Sequence, residues 1–206
     1  MKKAFIFDWS GTLSNNFHCF ASVCSLIFRK LGREPITEKE IRPSFTLPYM
    51  KFWNKYFPDL SREEQCRLYE KYIHQVDEPE LYDDVKETIE FLKSLGWQIF
   101  ILSSDPASKL IPEIEKSGLS TIIEKVVGDV HEKDEIILSF IKNYNLDNKL
   151  TYYVGDTSGD VEAGKSAKVK TIGISWGFQD KSILSASNPD FLIDHIADIR
   201  RIISII

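Results

Sequence analysis

The chain has 206 residues with a formal net charge of -5, 43% apolar and 28% charged residues. That size and apolar content suit one sizeable domain, or a domain carrying a small insert, with a full core and an ordinary water-facing surface. The acidic balance leaves no basic stripe to neutralise a phosphate backbone and excludes a general nucleic-acid binder; small phosphorylated ligands, which need only a few local cations, stay open.

No stretch approaches the roughly 18 uncharged apolar residues of a membrane span. The start Met1-Lys2-Lys3 followed by Ala4 to Phe7 is cut off by Asp8 too early for a signal peptide. Cys19, Cys24 and Cys66 show no metal-binding spacing and read as buried free thiols of a reducing compartment. These features predict a cytoplasmic protein without a membrane partner.

In chain order, Lys3 to Phe7 reads as a buried strand that ends in Asp8 and the turn Trp9-Ser10-Gly11-Thr12. Ser14-Asn15-Asn16 signals the start of an apolar-rich helix to about Leu31, closed by Gly32. Thr37 to Glu40 is a capping box for a short helix that Arg42-Pro43 interrupts. Ser44 to Pro48 reads as a loop and Tyr49 to Phe57 as a helix dense in aromatics. A second capping box, Ser61 to Glu64, opens a helix to about Val76, and Asp77 to Glu80 is a linker. Residues 15–80 are therefore expected to hold helices and no strand.

From Asp83 helix and strand alternate. The pattern predicts helices over Val85–Leu95, from Asp105-Pro106 to Gly118, over Lys133–Tyr144, after Gly155 to Asp160, and over Asp198–Ile205. It predicts strands over Trp97–Leu102, Ile122–Val127, Leu150–Val154, Lys170–Ile174 and Phe191–Ile193. Such alternation means right-handed crossovers and a doubly wound parallel sheet. The expected organisation is an α/β core from residues 1–14 and 81–206, with a helical domain of residues 15–80 inserted.

The residues of chemical interest stand at strand ends: Asp8, Ser103, Lys133 at the head of a helix, and Asp156 with Asp160. The carboxyl edge of an open parallel sheet is where ligands bind. Each residue also has a plainer reading. Asp8 and Asp156 would serve as turn residues, Ser103 as a helix-start residue (with Ser104 the one that matters), Lys133 as a solvated lysine in the charged run His131 to Glu135, and Asp160 as a helix N-cap.

In their order and strand contexts, Asp8-x-x-Gly11-Thr12-Leu13, Ser103, Lys133 and Gly155-Asp156-x-x-x-Asp160 resemble the four motifs of the haloacid dehalogenase superfamily, and its phosphatase-like, phosphoglycolate phosphatase-type members in particular. The resemblance implies a Mg²⁺-dependent phosphohydrolase acting on a small phosphorylated metabolite through an aspartyl-phosphate on Asp8. It implies metal ligands from Asp8, Asp156 and the backbone carbonyl of Ser10, with Asp160 one helical turn on. It further implies that Ser103 and the amides around Gly11 and Thr12 hold the phosphoryl oxygens, and that Lys133 offsets their charge.

One departure stands out. Phosphatases of this family usually carry a second Asp two positions after the nucleophile, as general acid and base, and this chain has Ser10 there. A hydroxyl does not exchange a proton near neutral pH, so acceleration of about 10²–10⁴-fold is at stake. The insert matches the position of the family's helical cap, and its Arg42 and Lys51 are candidates to meet a second anionic group of the substrate. Two alternatives follow: phosphonate C–P cleavage through a Schiff base on Lys51, as in phosphonoacetaldehyde hydrolase, or a degenerate member that binds without turnover. The expected assembly is a monomer or a homodimer.

Overall fold

The computed structural model describes residues 1–204; Ile205, the expected end of the C-terminal helix, lies outside the described residues. Its sheet has six strands, β1 (Lys2–Phe7), β2 (Gln98–Leu102), β3 (Lys125–Val127), β4 (Leu146–Gly155), β5 (Lys170–Ile174) and β6 (Phe191–Ile193), in the order β3-β2-β1-β4-β5-β6. Every neighbouring pair is parallel. The chain winds outward from β1 to β3, crosses back and winds outward again from β4. The carboxyl ends of β1 and β4 therefore flank the switch point where such sheets open a crevice.

The alternation of side chains along β1 explains why both faces are covered. Phe5 and Phe7 pack on one face with Ile99, Ile101, Tyr152 and Val154, under helices α5 (Val85–Ser94) and α6 (Ala107–Ser117). Ala4 and Ile6 face the other way, with Phe100, Leu102 and Tyr153, under α7 (Lys133–Tyr144) and the end of α8 (Ser158–Ser166). A strand buried on both sides has no room for polar residues until it ends, and Asp8 is where β1 ends.

Between β1 and α5 lie α1 (Phe17–Lys30), α2 (Glu38–Ile41), α3 (Met50–Tyr56) and α4 (Arg62–Ile73). Buried residues of α1 at 17, 20, 21, 24, 27 and 28 follow the helical period and meet Phe52, Trp53 and Leu68 in a separate aromatic core. The two chain crossings into this segment run side by side, with Asn15 N–H donating to Glu80 O at 2.8 Å and Tyr82 N–H to Leu13 O at 3.0 Å.

Some details differ from the sequence expectations. Asn16 does not cap α1 with its side chain, because that amide is used in the turn after β1. Pro106 is the N-cap of α6 rather than its first helical residue. At the second capping box, Ser61 accepts from Glu64 N–H at 3.2 Å, but the Glu64 carboxylate turns to Arg67. Strand β4 begins at Leu146, four residues earlier than the pattern suggests, because Leu146 pairs with Lys2 ahead of a register shift. A short helix α9 (Lys181–Ala186) follows Asp180 in a stretch given no element from sequence, and α10 (Ile199–Ile203) follows a 3₁₀ turn, Ile196–Asp198. Cys19 and Cys24 are buried free thiols, whereas Cys66 is only half-buried. Among the described residues no helix is long and apolar enough to cross a membrane.

Candidate active site

Sheet register brings the motif residues to one line. Phe7 of β1 is level with Ile101 of β2 and Val154 of β4. Asp8, Ser103 and Asp156 thus leave three adjacent strands at nearly the same height, and all three line one cavity beneath the helical segment. Lys133 at the start of α7 joins them there.

Lys133 is only 5% exposed, so it is no solvated lysine. Its Nζ donates to Asp8 Oδ1 at 2.8 Å and to Asp160 Oδ1 at 2.7 Å. Burial works to neutralise Lys133, but the Asp160 and Asp8 carboxylates outweigh it and hold the ammonium well above its usual range. Asp8 shows the converse: burial pushes its carboxyl up to about 7, against the opposing pull of Lys133. Asp156 is pushed well up as well, by burial first and then by the charges of Asp8 and Asp160.

Asp160 is not the N-cap of α8. Thr157 caps that helix, and Asp160 is the third helical residue of a capping box. Asp160 Oδ2 accepts from the Thr157 hydroxyl and N–H at 2.6 and 3.2 Å, while Oδ1 accepts from Lys133 and from Tyr153 Oη at 2.8 Å. Both oxygens are occupied, so Asp160 holds Lys133 and the turn in place. Asp156 Oδ2 accepts a single backbone donor, Phe178 N–H at 2.6 Å.

Carboxylate oxygens of Asp8, Asp156 and Asp160 lie within 4.8 Å of one another, all three residues buried. One ammonium faces three carboxylates, and an excess of buried negative charge is costly without a further cation. An all-oxygen donor set of this kind suits a hard cation such as Mg²⁺. Two glycines make the approach possible. A Cβ on Gly11, whose φ is +75°, or on Gly177 would overlap the Asp156 side chain.

Gly11 and Thr12 do not line the cavity. The Gly11 N–H donates to Ser14 O at 2.9 Å and Asn16 Oδ1 at 3.0 Å, and the Thr12 N–H to Trp9 O at 3.2 Å, so these amides close their own turn. Ser103 does line it, with its Oγ accepting from Asp105 N–H at 3.1 Å, and so does Ser104. Arg42 and Lys51 are not brought to the cavity. The Arg42 guanidinium donates to Gly177 O at 2.5 Å and lies 3.9 Å above the Phe17 ring, where it ties the helical segment to the loop after β5. Lys51 is exposed on α3.

Two cavity residues escaped the sequence reading. Asp105, taken only as a helix-start residue, accepts a hydrogen bond from the Ser10 hydroxyl at Oδ2 and another from Ser103 Oγ at 3.3 Å. Burial raises its carboxyl above the usual range. Its signal was an acidic residue two places after Ser103 at the same sheet edge. Phe178 supplies the amide that orients Asp156 while its ring packs against Phe17, Phe20 and Phe45; nothing in its local sequence marked it.

The chain is similar over nearly its whole length to phosphoglycolate phosphatase of Vibrio parahaemolyticus, at 24% identity over 223 residues covering 98% of this chain and 96% of the relative. PpaX of Clostridium perfringens, which carries a pyrophosphatase name, is 30% identical over 204 residues, 94% of each chain. Among solved structures, a haloacid dehalogenase-like family hydrolase of Streptococcus pneumoniae superposes with a TM-score of 0.81 at 17% identity, over 98% of both chains, a likeness of fold. The motif residues from Asp8 to Asp160 fall inside residues 5–174, which match the model of the haloacid dehalogenase-like hydrolases, and the chain belongs to that family.

Proposed function

We propose that this hydrolase is a Mg²⁺-dependent phosphohydrolase of small phosphorylated metabolites that works through an aspartyl-phosphate on Asp8. The observation that carries the reading is the buried cluster of Asp8, Asp156 and Asp160, in which the single ammonium of Lys133 pairs with Asp8 and Asp160. A Mg²⁺ ion held by Asp8, Asp156 and the Ser10 carbonyl would supply charge neutralisation for an anionic nucleophile meeting an anionic ester.

Asp8 attacks phosphorus, the ester P–O bond breaks, and the protonated carboxyl of Asp105 gives the leaving alcohol its proton; water then attacks the acyl phosphate, returns a proton to Asp105, and frees Asp8 and inorganic phosphate. Lys133 keeps Asp8 oriented and offsets charge on the phosphoryl oxygens, which Ser103 and Ser104 are placed to bind. Ser10 has no ionisable group, and we assign the proton transfers to Asp105, whose carboxylate stands against the Ser10 hydroxyl. Residues 1–14 and 81–206 form the catalytic core in this reading, and residues 15–80 a cap that excludes water. The paired backbone crossings at Asn15 and Tyr82 support a hinge there. No observation favours C–P cleavage, since Lys51 is exposed and away from the cavity.

The test is hydrolysis of phosphomonoesters with and without Mg²⁺, beside Asp8→Asn. Metal-dependent release of phosphate that disappears in Asp8→Asn is the expected result. Equal turnover by Asp8→Asn would overturn the reading.

A further inference from the structure

The cavity over Asp8 is acidic below and aromatic above. Its roof is made by Phe20, Phe45, Leu47, Tyr49, Trp53 and Tyr69, from the helical segment. Among the described residues that line it, Lys133 is the one cation, and its ammonium already meets Asp8 and Asp160. The remaining charged groups are acids: Asp105, Asp129 and Asp156 from the sheet side, and Glu70 from α4.

His131 also lines the cavity, with its ring 5.4 Å from that of Tyr49. Burial first, then the neighbouring Arg62, hold its imidazole below the usual value, which disfavours a charge there. Arg62 itself is exposed and not among the lining residues, and Arg42 is committed to Gly177 and Phe17. A substrate whose leaving group carries a carboxylate or a second phosphoryl group would lose its hydration against aromatic rings, with no lining cation other than the already paired Lys133 and with Glu70 and Asp129 repelling it. An apolar alcohol gains from the same surfaces.

Resting on the phosphohydrolase reading, we infer that the leaving group of the preferred substrate is an uncharged, apolar alcohol of aryl or branched alkyl type. The site in this form rejects esters and anhydrides with a second anionic group. That separates the chain from what the names of its relatives describe, phosphoglycolate and pyrophosphate.

The experiment compares kcat/KM of the full chain, with Mg²⁺, on benzyl phosphate, phosphoglycolate, pyrophosphate and phosphocholine. Benzyl phosphate and phosphoglycolate release alcohols of similar acidity, so their ratio reports the cavity and not the leaving group. Benzyl phosphate is expected to exceed both phosphoglycolate and pyrophosphate by at least about tenfold, the scale that one pocket contact provides. Glu70→Lys, a change at an exposed position, is expected to shift the ratio toward phosphoglycolate by about fivefold or more, because it removes a like charge and supplies a counter-ion. Phosphoglycolate or pyrophosphate turned over as well as benzyl phosphate would overturn the inference and leave the phosphohydrolase standing. Phosphocholine preferred over benzyl phosphate would overturn the uncharged assignment. No turnover of any of the four would overturn the phosphohydrolase reading itself.

Discussion

The hydroxyl of Ser10 is hydrogen-bonded to the carboxylate of Asp105, across the sheet edge from one strand end to the next. Asn16 Nδ2 donates to the same hydroxyl oxygen at 2.6 Å, which leaves the Ser10 proton to point at Asp105. The family's usual acid at the Ser10 position is absent, and the neighbouring loop sets a carboxylate against the Ser10 hydroxyl instead.

Asp105→Asn is therefore expected to lower kcat/KM on alkyl phosphates by about 10²–10³-fold. On 4-nitrophenyl phosphate, whose leaving group needs no proton, the loss should be small. The double variant Ser10→Asp/Asp105→Asn should regain at least about tenfold of the alkyl activity. An equal loss on both esters would mean that Asp105 only positions the loop.

Lys133→Met leaves the buried carboxylates of Asp8 and Asp160 without their ammonium. The expected cost is about 3–5 kcal/mol in a urea melt near pH 8, the scale for removing one partner of a buried ion pair. Unpaired buried carboxylates have raised pKa values in the folded state, so their penalty grows as pH rises; near pH 5 the loss should be clearly smaller. Millimolar Mg²⁺ should recover part of the stability by binding the folded form. A loss independent of both pH and Mg²⁺ would contradict the electrostatic account.

Glu113 on α6 gives a pH prediction outside the site. Burial raises its carboxyl to about 7, although Trp9 Nε1 donates to it at 2.8 Å and favours the charged form. With the folded pKa above the unfolded one, ionisation is resisted in the native state, so stability falls as pH rises from about 4.5 to about 7. Glu113→Gln keeps an acceptor for Trp9 and does not titrate. It should be more stable than the parent near pH 8, on the order of 1 kcal/mol, and indistinguishable near pH 4. The same difference at both pH values would show a packing effect instead.

Much of the fold was legible because strand and helix periods differ and buried parallel strands read as unbroken apolar runs. Phe5-Ile6-Phe7 before Asp8, and Tyr152-Tyr153-Val154 before Gly155-Asp156, locate the sheet edge from spacing alone. What the sequence hid depends on contacts between distant segments. Asp105 looked like a helix-start residue until the register of β1 and β2 set it against Ser10. Arg42 and Lys51 looked like substrate cations because they sit among aromatics, yet the orientation of the helical segment decides which of its side chains face the site, and that orientation rests on Phe178 and Gly177, more than 120 residues away in sequence. Helix α9 escaped because its short Lys181-Ser182-Ile183-Leu184-Ser185-Ala186 run has too few turns to show a period.

In the proposed reaction Asp8 carries the phosphoryl group during turnover. The direct measurement is acid quench of the protein mixed with excess 4-nitrophenyl phosphate and Mg²⁺, followed by peptide mass spectrometry. One phosphoryl group is expected on the peptide containing Asp8, accumulating in Asp105→Asn, where attack by water is slowed, and absent from Asp8→Asn. Steady turnover with no phosphoryl group on Asp8 under the same quench, or the group found on another residue, would contradict it.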